Sequence, residues 1–332
     1  AVGGGGVVGG APPLPFGPPP VKPERLQTGA HMVALVVGEL AEDNGAMTEQ
    51  ERPAGWHDQE RIQRWIAGAQ RREAQMIPVS AELFAAADLR PGESVLDVGC
   101  GTGPTTVAAA QAVGRQGRVV GIDLSPQMID TARERSGVDG PDAGALEWRV
   151  ADAQTYGFGA EAFDAVISRF GLMFFSDPVA AFANLAQATR PGGRLAAVVW
   201  QIRDRAPIFA VPYRCAQTVL DRCRLPYTPV AIDDNQCSLG TVDRVERVLA
   251  PAGWRDIAAR PTEQSLYLGG PVPPETAAET MLDTGPIRGL LEGRSADVVA
   301  EVRAEILAEF SRHYDGTGVR VSGGFMVVTA RR

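Results

Sequence analysis

Short apolar runs alternate with helical patterns through the middle of the chain. Runs of four to seven mostly apolar residues predict strands at Ser94–Val98, Arg118–Ile122, Leu146–Val150, Ala165–Ser168 and Arg194–Trp200. Apolar residues three and four apart between these runs predict helices at Thr105–Ala112, from Pro126 to about Arg135, and from about Pro178 to Ala188. Continuous apolar strands that alternate with helices are typical of a parallel sheet covered on both faces. The middle of the chain therefore predicts a doubly wound α/β fold.

The flanking segments show weaker patterns. The region Asp58–Asp88 has helical periodicity, and Pro78 is expected to divide it so that a second helix begins near Ser80. Towards the end we expect a helix at about Thr241–Ala250, a strand near Gln264–Leu268, helices within 274–312 and a closing strand in "GVRVSGGFMVVTARR". Residues 201–238 carry no clear strand pattern.

Composition narrows the function classes. The net charge is −8 and no Lys/Arg run occurs, which disfavours a nucleic-acid partner. Lys22 is the single lysine, so an internal lysine Schiff base and a Walker-type phosphate loop are effectively excluded. The four cysteines form no C-x-x-C pair, which predicts no zinc site and reduced thiols in a cytoplasm. No apolar run reaches the roughly 18–20 residues of a membrane span.

A glycine-rich turn follows the first strand of the alternation. In "SVLDVGCGTGPTT" the glycines Gly99, Gly101 and Gly103 let a ligand lie against bare backbone, and the helix that follows presents unpaired N–H groups. Taken alone, such a turn is also compatible with a tight strand–helix connection.

Three acidic residues end three successive predicted strands. Asp97 lies just before the turn, and Asp123, which comes 26 residues later in "VVGID", is placed to accept two ribose hydroxyls. Asp152 in "RVADAQ" can accept from an adenine amine, with the Ala153 N–H offered to a ring nitrogen. Leu124 and Met128 can supply apolar walls for a flat ring.

The sequence of the turn also indicates which kind of nucleotide ligand it binds. Its spacing is G-x-G-x-G followed by Pro104, whereas a nicotinamide loop has G-x-G-x-x-G. Asp97 would repel a pyrophosphate but suits an ammonium group. A ligand with adenosine, an α-amino group and no phosphate fits these features, which predicts S-adenosylmethionine.

Five stretches resemble the successive motifs of class I S-adenosylmethionine-dependent methyltransferases, in the branch of quinone-biosynthesis and small-molecule natural-product enzymes. They are "VLDVGCGTG", "VVGIDLSPQMI", "ADAQ", "FDAVISRFGLMFF" and "RPGGRLAAVVW". The resemblance covers about residues 75–200 well and residues 240–268 and 318–331 more loosely. It implies a Rossmann-like sheet of seven mostly parallel strands, with the last one antiparallel.

The resemblance also implies roles for individual residues. Gly99, Cys100, Gly101 and Gly103 would line the methionine moiety, and Asp97 would face its amino group. Asp123 would bind the ribose, and Asp152 with Ala153 the adenine. Ser168 would lie near the sulfonium. The expected acceptor residues are Arg169, Phe170, Met173 and Trp200.

The chain is expected to divide into five regions. These are a disordered Gly/Pro-rich leader (1–31), an N-terminal helical cap (32–92), the cofactor-binding core (93–200), a lid insertion (201–239), and the C-terminal part of the sheet (240–332) with a helical insertion (271–312). The pair His31-Met32 looks like a cloning junction, which would make the leader an expression artefact; a natural Pro-rich tail is the alternative.

The predicted function is methyl transfer from S-adenosylmethionine to an O, N or C atom of a small, largely apolar molecule, in cytoplasmic biosynthesis of secondary metabolites. The product would be S-adenosylhomocysteine, and in-line positioning would supply the catalysis. No catalytic base is assigned. Surface or hydrogen-bonded positions are favoured for the histidines and packing roles for the tyrosines: His31, His57, His313, Tyr213 and Tyr227. Alternatives are a non-methylating reaction such as cyclisation, a protein or RNA methyltransferase, and an NAD-dependent oxidoreductase. The oligomeric state is left open.

Overall fold

A single twisted sheet organises the part of the chain that the structure describes. The computed structural model describes residues 59–136, 143–229, 237–282 and 285–332. Seven strands of these residues pair in the order β3-β2-β1-β4-β5-β7-β6. Their bounds are β1 Ser94–Val98, β2 Arg118–Asp123, β3 Ala145–Val150, β4 Phe163–Arg169, β5 Thr189–Trp200, β6 Arg255–Tyr267 and β7 Arg320–Arg331. β7 is antiparallel to β5 and β6, and the other pairs are parallel, which confirms the predicted fold class.

Helices connect and cover the strands. They are α1 Gln59–Ala67, α2 Ala69–Ala87, α3 Pro104–Val113, α4 Pro126–Ser136, α5 Pro178–Ala188, α6 Pro207–Arg222, α7 Val242–Leu249, α8 Pro274–Leu282, α9 Gly285–Leu291 and α10 Ala296–Arg312. The central strands β1 and β5 are buried along most of their length. None of the described helices is long and apolar enough to cross a bilayer. The division into cap, core and lid stays a prediction.

Helix α2 lies on the same sheet face as α3. Asp97 of β1 pairs in register with Ile167 of β4, so both side chains share a face with Arg169. Asp97 contacts Thr105 of α3, and Arg169 contacts Ser80 of α2. At the other end of α2, Arg194 in the middle of β5 donates hydrogen bonds to the carbonyl oxygens of Ala87 and Asp88. α2 therefore runs antiparallel to the central strands, with its N-terminal half at their carboxyl ends.

The break in the N-terminal helices was predicted at the wrong residue. α1 and α2 are separated at Gly68, and Pro78 lies inside α2. Glycine is the more permissive position for a change of direction. Beyond Pro78, Val79, Leu83 and Ala87 are fully buried, and this packing keeps the helix going although one backbone hydrogen bond is lost.

Three elements differ from the sequence expectation. β5 begins at Thr189 and takes "RPGG" into a bulge, because the register jumps from Phe163 opposite Thr189 to Ala165 opposite Arg194. β6 begins nine residues earlier than Gln264, at Arg255, as a sheet-edge strand of mostly exposed and half-buried residues. α6 occupies a segment without a clear pattern and contains Pro212. Edge exposure removes the apolar alternation of β6. In α6 the buried Tyr213, Ala216 and Leu220 keep a helical spacing, but the internal Pro212 argues against a helix there.

The ends of β1 and β4 touch through bare backbone, which generates a first prediction. A Cβ atom added to Gly171 would lie 2.9 Å from the α-carbon of Gly99. Gly171→Ala should therefore destabilise the protein by about 1–3 kcal/mol through overpacking. Chemical denaturation measures the effect. Gly157→Ala is the control, since its added Cβ meets no atom within 4 Å and should leave stability nearly unchanged. Equal stability of the two variants would contradict the close approach of these backbones.

Candidate functional site

The glycine turn is held open at the carboxyl end of β1. The N–H groups of Gly99 and Cys100 both donate to the carbonyl oxygen of Ile122 at the end of β2, over 2.9 and 3.1 Å. Gly99, Gly101 and Gly103 have φ angles of +68°, +56° and +89°, in the left-handed region that favours glycine. Cys100 is buried, and burial raises the pKa of its thiol. A Cβ at Gly101 would meet no atom within 4 Å, so the turn offers bare backbone beside open space.

Asp97 is a wholly buried acid beneath this turn. Its Oδ2 accepts hydrogen bonds from the hydroxyls of Thr105 (2.6 Å) and Thr106 (2.7 Å) at the start of α3. Its Oδ1 has no hydrogen-bond partner within the described ranges. Burial raises the pKa of Asp97 to about 6, against the opposing effect of the two hydroxyls and of Arg169. One buried carboxylate oxygen is therefore left to accept a donor.

Asp123 ties the end of β2 to the same turn. Its Oδ2 accepts from the Gly101 N–H at 2.9 Å, and its Oδ1 accepts from the Ser125 N–H at 2.9 Å. Burial raises the pKa of this carboxyl, and the backbone donors oppose the rise. The adjoining Leu124 is half-buried and Met128 is buried. The first two acids thus lie at neighbouring strand ends, as the sequence predicts.

Asp152 follows β3, the next strand in the sheet. Its Oδ1 accepts from the Gln154 N–H at 2.8 Å, which shapes the turn after the strand. Ala153 is buried, and its carbonyl oxygen accepts from the Asn184 side chain of α5 at 2.9 Å. Because β3, β2 and β1 are adjacent and parallel, all three acids lie along one edge of the sheet. Their cofactor contacts stay predictions.

Ser168 and Arg169, the last two residues of β4, make different contacts. The Ser168 hydroxyl donates to the Val98 carbonyl at 2.7 Å and accepts from the Gly171 N–H at 3.1 Å, so it joins β4 to β1. Arg169 forms a two-pronged ion pair with Glu73 of α2, over 2.7 and 2.5 Å, and donates to the Ser80 hydroxyl at 2.6 Å. The guanidinium predicted to meet an acceptor is engaged by Glu73 and Ser80 of α2.

An aromatic stack stands beside this ion pair. The Phe170 and Trp200 rings are nearly parallel, 4.1 Å apart at an angle of 6°, and Phe209 of α6 meets Trp200 edge-on at 5.0 Å. Phe170 has a φ of +64°, a strained conformation for a bulky residue. Met173 is buried, and its sulfur accepts from the Trp200 N–H at 3.3 Å. The structure brings these three predicted acceptor residues together at the carboxyl ends of β4 and β5.

The sequence prediction missed several residues around the site. Glu73 and Ser80 lie about 90 residues before their partner Arg169. Thr105 and Thr106 could have been found as hydroxyls directly after the glycine turn. Arg72 of α2 packs over the Trp65 ring at 3.9 Å, and its Nη2 is buried with no hydrogen-bond partner in the described segments. Burial, with Arg71 and Arg135 nearby, lowers the pKa of Arg72 to about 10.

The remaining histidine and tyrosine candidates lie partly outside the described residues. His31, His57 and the whole leader lie outside the described residues. His313 is exposed beside Glu309 at 3.2 Å, at the end of α10. Tyr213 is buried, and the Tyr227 hydroxyl is 3.4 Å from the Gln217 amide. Within the described ranges no three His, Cys, Asp or Glu side chains converge as a metal site.

Two cavities lie away from the glycine turn. The larger, of about 390 Å³, is lined by Gln201, Arg205 and the β6 residues Pro261, Thr262 and Glu263. The smaller, of about 220 Å³, lies near the start of β5 and is lined in part by Glu93, Arg190 and Arg194. Neither is lined by a predicted cofactor residue, so the three acids and the turn, and not cavity size, define the candidate site.

The central part of the chain is similar to known methyltransferases. Residues 95–193 match the family model described as a methyltransferase domain. The chain is 40% identical over 119 residues to aklanonic acid methyltransferase DauC of Streptomyces sp. (strain C5), a match that covers 36% of this chain and 53% of that protein. The chain spans about half the length of the curated relatives it matches.

Similar solved structures have low sequence identity. A putative methyltransferase from Bacillus halodurans is 19% identical with a TM-score of 0.48, covering 76% of this chain and 97% of that one. The [4+2]-cyclase SpnF is 18% identical with a TM-score of 0.44, covering 77% and 80%. At these scores the two structures carry no argument about function.

The burial of Asp97 predicts a pH-dependent stability. Its pKa is raised from 3.8 to about 6 on folding, so the folded state disfavours the charged form. The protein therefore loses stability as the pH rises from about 4 to 6, and this loss persists at higher pH. Asp97→Asn should therefore stabilise the ligand-free protein by about 2–3 kcal/mol at pH 8 and by little at pH 4. Denaturant titrations at both pH values measure this. Asp221→Asn, at an exposed acid of α6, should change stability by less than about 0.5 kcal/mol. A pH-independent effect of Asp97→Asn would contradict the account.

Proposed function

We propose that this protein, whose residues 95–193 form a class I methyltransferase domain, transfers a methyl group from S-adenosylmethionine to an O, N or C atom of a small, largely apolar molecule. The observation that carries the proposal is the wholly buried Asp97 with one unpartnered oxygen, beneath a glycine turn with open space at Gly101. A natural-product relative supports a role in secondary metabolism. The free thiols of the four cysteines agree with a cytoplasmic location.

The unpartnered buried atoms match the amino-acid end of the cofactor. Within the described ranges, the buried side-chain nitrogen and oxygen atoms without a hydrogen-bond partner are Asp97 Oδ1 and Arg72 Nη2. One belongs to an acid and the other to a base, whereas an α-amino acid carries one ammonium and one carboxylate. A buried unpaired group is costly unless a ligand pairs with it. Asp97 would thus hold the ammonium, and Arg72 the carboxylate.

The other acids suit the adenosine end. Asp123 keeps lone pairs beyond the two that accept from Gly101 and Ser125, and these would accept the ribose hydroxyls. Asp152 and the Ala153 N–H would bind the adenine edge, with Leu124 and Met128 against the ring. Arranged along adjacent strand ends, these residues form the edge where open parallel sheets bind ligands.

Catalysis would rest on positioning. When bound, the cofactor supplies a methyl group on a sulfonium whose thioether leaving group is neutral. The chain's own task is then to orient an acceptor and exclude water, and orientation can contribute roughly 7–11 kcal/mol. Ser168 fixes the end of β4 against β1, and the Phe170–Trp200 stack forms an apolar wall next to it. This wall supports a flat, apolar acceptor.

A ligand-truncation experiment tests the cofactor site. Calorimetry should show binding of S-adenosylhomocysteine and no binding of NADH. Asp97→Asn and Arg72→Gln should each weaken the binding of S-adenosylhomocysteine about tenfold or more, because each removes a charged hydrogen bond. Neither should weaken 5′-methylthioadenosine, which lacks the amino-acid end. Asp123→Ala should weaken both ligands, and Arg71→Gln, at an exposed neighbour, should weaken neither. An equal loss for both ligands with Arg72→Gln would refute its role, and binding of NADH instead would overturn the proposal.

Transfer of labelled methyl groups tests the reaction itself. The protein should label members of a panel of small planar phenols, amines and carboxylic acids. Phe170→Leu should raise the acceptor KM several-fold and leave S-adenosylhomocysteine affinity unchanged, because it removes only the stacking face. Phe158→Leu, in the separate aromatic cluster with Tyr156 and Phe163, is the control. Cofactor binding with no labelled product and a rearranged acceptor would favour cyclisation instead.

A further inference from the structure

We propose that Glu73 is a positioning residue for the cofactor site: through its ion pair with Arg169, it holds α1 and the N-terminal half of α2 closed over the glycine turn. The inference rests on the proposed function, because it takes S-adenosylmethionine as the ligand enclosed. We call residues 59–77 the cap segment.

The cap segment spans the end of β1. α1 packs against α4, the helix that follows β2. Glu73, further along the segment, pairs with Arg169 at the end of β4. In the sheet, β1 lies between β2 and β4, and the glycine turn follows β1. A segment attached to α4 on one side and to β4 on the other must cross over that turn.

The attachment to β4 is short and partly shielded from water. Both Glu73 oxygens accept from separate Arg169 nitrogens, at 2.7 and 2.5 Å. The side chains are only 12% (Arg169) and 30% (Glu73) exposed, so water screens the pair weakly. Two-pronged, charge-assisted hydrogen bonds of this kind are stronger than neutral ones and fix a single geometry. Arg169 also binds the Ser80 hydroxyl, so it holds α2 on both sides of Pro78.

Apolar packing anchors the cap-segment part of α2 less firmly than the rest of the helix: there Met76 is only half-buried against the core. Val79, Leu83 and Ala87, after Pro78, are fully buried, whereas Gln75 is the buried residue between Ala69 and Ile77. Pro78 has no N–H to donate to the carbonyl of Ala74, and a proline inside a helix favours bending there. A segment with few buried apolar contacts opens more readily than the element it extends. Pro78 is thus placed as a hinge, and Glu73 forms a charged contact that opposes opening at it.

Cofactor release should then depend on the pair. The probe is radiolabelled S-adenosylhomocysteine chased with unlabelled ligand, and the readout is its dissociation rate. Glu73→Gln should speed dissociation at least tenfold. Arg169→Lys keeps a positive charge near Asp97 but loses the two-pronged geometry. It should speed dissociation less than Glu73→Gln does. Glu82→Gln is the matched control. Glu82 lies in the part of α2 after Pro78 and pairs with Arg260 of β6, so this variant should change the dissociation rate by less than twofold.

Hydrogen exchange on the ligand-free protein tests the hinge independently. Glu73→Gln should speed amide exchange in residues 59–77 and leave residues 79–87 unchanged. Exchange unchanged in both segments, or faster in both, would overturn the inference, as would equal dissociation rates for Glu73→Gln and Glu82→Gln. Failure of the wild-type chain to bind S-adenosylhomocysteine would refute the proposed function instead, and the exchange result would still decide whether Glu73 closes the cap segment.

Discussion

The rest of the site depends on the buried carboxylate of Asp97. A charge removed from water is costly unless partners replace its hydration. Thr105 and Thr106 at the start of α3 replace it at one oxygen, and in doing so they fix that helix to the end of β1. The other oxygen has no such partner in the described ranges. The fold thus carries a destabilising group at the place where a cationic ligand would reverse the penalty.

Backbone contacts then assemble the strand ends around that acid. Gly99 and Gly171 approach so closely that neither position has room for a side chain. The Ser168 hydroxyl and the Asp123 carboxylate bridge β4 to β1 and β2 to the glycine turn. Because these bonds use side chains to hold backbone, the turn is shaped before any ligand arrives. This arrangement favours catalysis by positioning, in which a preformed geometry does the work.

The sequence predicted what has a local pattern. The buried strands β1, β2 and β4 were found because each is a mostly apolar run. The three acids were found because each lies at or close to the carboxyl end of a strand. The first nine residues of β6 were missed, because an edge strand with exposed residues on both faces lacks that pattern. The continuation of α2 through Pro78 depends on tertiary packing, which overrides helix propensity. The Glu73–Arg169 pair joins residues 96 positions apart, and no local signal marks such a pairing.

The matched family domain and the acceptor wall overlap only in part. The predicted cofactor residues, from Asp97 to Ser168, all lie within residues 95–193. Trp200 and Phe209 of the aromatic stack and Glu73 of the Arg169 ion pair lie outside it. Proteins that share a cofactor can bind it with the same edge of the sheet, whereas different acceptors need differently shaped pockets. Under the proposed function, selection of the acceptor would rest on the junction of β5, α6 and α2, where the Phe170–Trp200–Phe209 stack lies beside the Arg169 ion pair.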